Sequence, residues 1–123
     1  MTIQELYAKI DGNFEHATKI MKSERLIDKY IRKLRSSQLD GMLEEAGETM
    51  DAVRLFESAH AMKGVCSNLG LDRLAGDANE ITEEFRPGNA RKLTDEEAKA
   101  RIAAVVRQYR FTVDCISEYE ASV

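Results

Sequence analysis

Hydrophobic residues recur along this chain at three- and four-residue spacings, which is the pattern of amphipathic helices. Six helical segments are predicted, over residues 2–10, about 15–35, 39–46, 51–70, 72–85 and 94 to near the C-terminus. No stretch alternates convincingly with a period of two, so we expect no sheet. The sequence therefore predicts an all-α protein.

Residues that favour helix ends support these bounds. They are the capping-box pairs Thr2–Glu5 and Thr94–Glu97, the N-cap candidates Asp51 and Asp72, and the stop at Gly70. Arg86-Pro87-Gly88-Asn89 is the clearest loop. Long helices joined by short loops predict one domain over residues 1–123, an antiparallel up-down four-helix bundle with additional short N-terminal helices.

Composition and charge fit a globular helical domain. Hydrophobic residues make up 43% and charged residues 33%, with a single proline. A net charge of -4 argues against a nucleic-acid partner, which requires a basic surface. One basic run is interrupted by Glu24 and Asp28, and we interpret it as a solvated helix face; its members are Lys19, Lys22, Arg25 and Lys29.

No secretory signal and no membrane span are apparent in the sequence. Cys66 and Cys115 are too few and too far apart for a disulfide framework or a zinc site. Both fall on apolar helical stripes, which predicts two small buried side chains. We therefore expect a cytoplasmic protein that does not bind membranes.

The segment from 51 to 70 has two distinct faces. One is an apolar stripe of Leu55, Ala59, Met62, Cys66 and Leu69. Nearly opposite lie His60, Lys63, Gly64 and Ser67, with Phe56 one turn and Val53 two turns before His60. The glycine is unexpected, because in a helix interior it costs about 1 kcal/mol relative to alanine.

A surface histidine can serve as a metal ligand, a general base or a nucleophile. A metal site requires several converging ligands, and a general base requires a nucleophile within reach, whereas Ser67 is two turns from His60. Nucleophilic use of the imidazole remains, with Lys63 beside it to attract an incoming phosphoryl group. The residues alone leave a second interpretation open, in which His60 is only a solvated helix residue.

A resemblance to a known family favours the first interpretation. Its motifs are Ala59-His60-Ala61-Met62-Lys63-Gly64 and Asn68-Leu69-Gly70-Leu71-Asp72-Arg73-Leu74. They resemble the signature of histidine-containing phosphotransfer (HPt) domains, in which the lysine and glycine follow the histidine and a Leu-Gly pair ends the helix. Met62 stands where the family usually has leucine, which is a volume-conserving exchange.

The resemblance implies a four-helix bundle whose exposed histidine carries a phosphoryl group between aspartates of receiver domains. It implies that His60 is the phospho-acceptor, that Lys63 balances the phosphoryl charge and that Gly64 gives clearance to a docking receiver. The expected partners are response-regulator receiver domains and a hybrid histidine kinase. The receiver supplies Mg²⁺, so we expect no cofactor and no autonomous kinase activity in this chain.

The remaining residues near His60 are expected to contact the partner, and they are Val53, Phe56, Glu57, Ser67 and Asn68. His16 is interpreted as a solvated side chain, because no Lys-Gly pair follows it. Two alternatives stay open, a non-catalytic helical interaction module and the phospho-accepting domain of a chemotaxis-type kinase. The start at Met1 and the end at Val123 lead us to expect a stand-alone, bacterial-type phosphocarrier instead.

Overall fold

A computed structural model describes residues 1–123 and contains seven α-helices and one short 3-10 helix. The helices are α1 (Ile3–Lys9), α2 (Phe14–Met21), α3 (Glu24–Lys33), the 3-10 helix Leu34–Ser36, α4 (Leu39–Thr49), α5 (Ala52–Asn68), α6 (Asp72–Glu84) and α7 (Asp95–Ala121). The prediction of an all-α protein is confirmed.

Helices α4 to α7 form the bundle, in which each helix packs against two others of the four. Tight connections join α4 to α5 and α5 to α6, so these neighbours are antiparallel. The shorter helices α1 to α3 cover the outside, where they contact α5 and α7. None of the helices has the length and apolarity needed to span a bilayer.

The apolar stripe on α5 lies in the centre of the core, as predicted. All five of its side chains are at most 1% exposed, and they are Leu55, Ala59, Met62, Cys66 and Leu69. Cys115 on α7 is also buried, so both cysteines are small core residues. Burial raises the pKa of the Cys66 thiol to about 12, which keeps it protonated and unreactive at neutral pH.

The prediction of one continuous helix from 15 to 35 is wrong. Lys22 adopts a left-handed conformation with φ of 61°, and Ser23 then caps α3 by accepting a hydrogen bond from the Leu26 amide at 3.3 Å. The break lets α2 and α3 bury different stripes against the bundle. A single unbroken helix over residues 15–35 would have left one of these stripes exposed to water.

The fourth bundle helix is instead α4, which was predicted as a short piece ending at Ala46. It continues through Gly47 to Thr49 and ends at Met50, which is left-handed with φ of 52°. A Cβ at Gly47 would lie 3.2 Å from the Ile102 side chain. This glycine is therefore not a helix stop, because its missing side chain permits close packing of α4 against α7.

The predicted helix starts are confirmed with one exception. Both capping boxes form, and the Asp51 side chain accepts a hydrogen bond from the Arg54 amide at 3.2 Å. Asp72, however, is the first residue of α6 rather than its cap. Its carboxylate is instead bonded to His16, with 2.6 Å between Nδ1 and Oδ1, so α2 is tied to the start of α6.

Helix α5 ends in a tight contact with the N-terminal helices. The Tyr7 hydroxyl donates to the Leu69 carbonyl at 2.7 Å, and the Asn13 amide donates to the Gly70 carbonyl at 2.8 Å. Gly70 has φ of +69°, and a Cβ there would lie 2.3 Å from the Asn13 carbonyl oxygen. Only glycine satisfies both the backbone conformation and the close approach.

The loop between α6 and α7 is held by one buried carboxylate. Glu84 accepts hydrogen bonds from the Leu93 amide at 2.9 Å, the Lys92 amide at 3.0 Å and the Arg91 guanidinium at 3.1 Å. Burial by itself would raise the pKa of Glu84, but these donors outweigh it and lower the pKa below its ordinary value. The ionised carboxylate thus fixes the loop at the end of α6.

We expect Gly70→Ala to lower the free energy of unfolding by at least about 1–2 kcal/mol, because alanine disfavours the left-handed backbone and its Cβ meets Asn13. Gly41→Ala is the matched control. Gly41 lies in α4 with nothing within 4 Å of an added Cβ, so alanine should stabilise by up to about 1 kcal/mol. Urea unfolding of both variants checks this. Equal stability of the two would show that the contact at Gly70 contributes nothing.

Candidate functional site

His60 lies near the middle of α5 and is exposed, on the side of the helix away from the buried stripe. Neither of its ring nitrogens makes a hydrogen bond within the protein. Its imidazole lies parallel to the Phe56 ring one turn earlier, with 5.6 Å between ring centroids and 8° between the planes. Phe56 is itself half-buried against the core, so it provides a fixed surface beside the imidazole.

A cation from the loop just after α6 joins this pair. The Arg86 guanidinium carbon lies 5.1 Å from the centroid of the Phe56 ring. Glu83 holds the guanidinium through two hydrogen bonds, at 2.9 and 3.1 Å. The hydrogen bonds from Arg86 lower the pKa of Glu83, with a smaller contribution from the nearby charge of Lys63. Two cations and one carboxylate therefore border the face that displays His60.

Lys63 and Gly64 follow His60 on the same face. Lys63 is half-buried and forms no salt bridge, so its ammonium group is not committed to a carboxylate. Gly64 is exposed, and an added Cβ would meet nothing within 4 Å. Packing inside this chain therefore does not explain the glycine, unlike those at Gly47 and Gly70.

The five residues expected to contact a partner do not form one cluster. Phe56 lies beside His60, whereas Val53 is 61% exposed near the start of α5. Glu57 lines a shallow cleft towards Met42 of α4, and Asn68 lines a groove towards α3. Ser67 is half-buried and its hydroxyl makes no hydrogen bond. These side chains therefore lie around His60 on α5 but face different neighbouring helices.

His16 is not the freely solvated side chain that was expected, since it is half-buried and bonded to Asp72. Its partner is a carboxylate. Lys19 lies one turn after it but pairs with Glu15, and position 20 is isoleucine instead of an exposed glycine. The two histidines thus occupy different environments. His16 ties α2 to α6 through Asp72, whereas the His60 ring has no hydrogen-bond partner.

His60 is exposed and does not line a main cleft of the surface. The two most prominent clefts, of about 520 and 470 Å³, do not include His60. No group of three or more His, Cys, Asp or Glu side chains is placed to hold a metal ion. The exposed imidazole is therefore accessible to a group on another molecule.

Comparison with known protein families gives one match. The family model for the Hpt domain matches residues 20–110, which include all of α3 to α6, His60 and the greater part of α7. The chain belongs to the Hpt domain family. Searches of curated proteins and of solved structures found no match.

Hpt domains are phosphocarriers of phosphorelays, and they interact with receiver domains and kinases rather than acting as kinases themselves. The helical bundle of this Hpt domain is the expected one, and its match extends well beyond the short motif around His60. Membership therefore rests on the bundle helices as well as on the signature residues.

The hydrophobic pattern did not indicate that the end of α6 and the loop after it lie beside His60 in this Hpt domain. Arg86 was correctly predicted to lie in a loop, but its contact with Phe56 was not predicted, and Glu83 was not singled out. A signal was available, because antiparallel helices that meet at Gly70 bring together residues at similar distances from the turn. Phe56 precedes that glycine by 14 residues and Arg86 follows it by 16. A contact between Phe56 and Arg86 could have been predicted from these spacings.

Proposed function

We propose that this Hpt domain is a phosphorelay intermediate that accepts a phosphoryl group on His60 from a receiver aspartate and passes it to another receiver aspartate. The observation that carries the proposal is the position of His60. It is exposed opposite the core stripe, has no internal hydrogen bond and is followed by a glycine over which a partner can approach. A hybrid histidine kinase is the expected source of the first receiver.

The transfer requires little from this chain beyond a placed nucleophile. A lone pair on one imidazole nitrogen attacks the phosphorus of the aspartyl phosphate, so that an N–P bond forms and the P–O bond to aspartate breaks. The carboxylate leaves with the bonding electrons, and the imidazole releases its ring proton to water. The reverse sequence delivers the phosphoryl group to the next receiver.

The surroundings of His60 suit this reaction. The Phe56 ring limits the orientations of the imidazole, so less freedom is lost when a receiver docks. Lys63 and Arg86 place positive charge where the phosphoryl group arrives. Because both cations are near the surface, their effect becomes larger when the docked partner excludes water.

Magnesium belongs to the partner in this proposal. The chain offers no cluster of metal ligands and no glycine-rich nucleotide loop. The receiver supplies the carboxylates that hold the ion beside its aspartate. This Hpt domain contributes the histidine and the flanking cations.

We expect His60→Gln to abolish phosphorylation while the bundle stays folded, because an exposed side chain without hydrogen bonds contributes little to stability. The measurement is transfer of an acid-labile, base-stable label from phosphorylated receiver domains. His16→Gln is the matched control and should retain the label. A label that persists in His60→Gln would place the phosphoryl group elsewhere.

Lys63→Ala and Arg86→Ala should each slow transfer or speed hydrolysis of the phosphohistidine by up to about fivefold. The effect should decrease with salt, since both charges are near the surface. Arg101→Ala is the control, because Arg101 is an exposed arginine bonded to Glu80 at 2.6 Å between α6 and α7. If Arg86→Ala matched Arg101→Ala at low ionic strength, Arg86 would have only a structural role.

Substitutions at Gly64 separate stability from docking. Alanine, glutamine and leucine should hold or raise the melting temperature, because an added Cβ meets nothing within 4 Å. The transfer rate should fall with the size of the side chain as it obstructs the receiver. The same series at Gly41, which is equally unobstructed, should leave transfer unchanged. Full transfer by Gly64→Leu would show that the receiver approaches from another side.

A further inference from the structure

A groove of about 470 Å³ lies between α3 and α5, beside the C-terminal end of the helix that carries His60. We call it the α3–α5 groove and define it by Met21, Tyr30, Lys33, Val65 and Asn68. Most of its lining is apolar, and none of the residues expected at the site except Asn68 belongs to it. The groove is therefore a surface that the transfer chemistry by itself does not explain.

The groove exposes large apolar side chains. Tyr30 is 39% exposed and Val65 is 38% exposed, so neither side chain belongs to the buried core. Leu26, one turn before Tyr30 on α3, is also 39% exposed. Apolar groups that share a concave surface are characteristic of a contact with another protein.

Cations border the same groove. The ammonium groups of Lys29 and Lys33 lie 5.6 and 5.0 Å from the centre of the Tyr30 ring, and neither lysine forms a salt bridge. Residues 14–36 contain seven Lys or Arg and three Asp or Glu, whereas the whole chain contains 18 and 22. Positive charge is thus concentrated on α2, α3 and the 3-10 helix, which form one wall of the groove. This charge favours a partner surface that carries carboxylates around an apolar residue.

The groove borders the face of His60 at Asn68. His60, Gly64 and Asn68 are spaced four residues apart and form one row along α5, so Asn68 lies about 12 Å from His60 along the helix axis. A standard interface buries about 800 Å² on each partner, which is a disc about 16 Å in radius. A partner centred on His60 therefore reaches the groove.

We propose that the α3–α5 groove is the surface by which this Hpt domain selects its receiver, and that the cognate receiver presents carboxylates around an apolar side chain there. The inference rests on the proposed function, because the receiver is the partner that must cover His60. The basic run on α2 and α3 is then a recognition element rather than only a solvated face. Lys29 and Lys33 act on the rate of encounter, and Tyr30 contributes apolar contact area.

The test is the double substitution K29E/K33E, assayed for transfer from a panel of phosphorylated receivers of the same organism. We expect kcat/KM for the receivers that serve the wild-type protein to fall about tenfold at low salt, with kcat at saturation little changed. The loss should shrink as the salt rises to about 0.5 M. Tyr30→Ala should also lower kcat/KM, but without the salt dependence. Phosphorylation of His60 by the small donor phosphoramidate should be unchanged in all variants.

The control is K99E/R107E, which makes the same change in net charge on α7. Both of its residues are exposed and form no salt bridge, and Lys99 borders a cleft against α4 instead of the groove. An unchanged kcat/KM in K29E/K33E, or an equal loss in the control, overturns the groove proposal. The proposed function still stands in that case, provided that the wild-type protein accepts the phosphoryl group. Absence of wild-type transfer from every receiver overturns the proposed function itself. Wild-type dimers that K29E/K33E dissociates would assign the groove to a second copy of the chain.

Discussion

The rotation of α5 about its own axis is the constraint on which the rest of the structure depends. Its five-residue stripe is buried on all sides, and turning the helix by even one residue would bring polar side chains into the core at a cost of several kcal/mol. That fixed rotation directs His60 outward without any hydrogen bond to hold it. The imidazole is thus placed by apolar packing on the opposite side of its helix.

The end of α5 fixes its position along the axis. Gly70 admits the Asn13 backbone, and the Tyr7 hydroxyl binds the Leu69 carbonyl, so the helix cannot slide relative to α1 and α2. The same turn sets the register of α6. Arg86, just after the end of α6, consequently lies beside Phe56, so the cations that border the face of His60 come from two segments of the chain.

Charge is distributed unevenly over the surface of this Hpt domain. Arg110 of α7 is neutralised by Asp40 and Glu44 of α4, with contacts at 3.0 and 3.1 Å, and this ties two bundle helices together. Lys63, Lys29 and Lys33 have no such partner. Lys63 near His60 and the two lysines beside the α3–α5 groove therefore remain available to another molecule, whereas Arg110 is used within the fold.

The sequence by itself determined the helical class, the stripe of α5 and the outward direction of His60, because period and polarity are local properties of a helix. It also determined the helix starts at Thr2, Asp51 and Thr94, since a cap depends on residues three positions apart. Only the tertiary structure decided that Lys22 breaks the second helix, that Gly47 stays inside α4, and that Arg86 lies over Phe56. Each of these depends on which surfaces meet across the bundle, and the pattern along one helix does not contain that information.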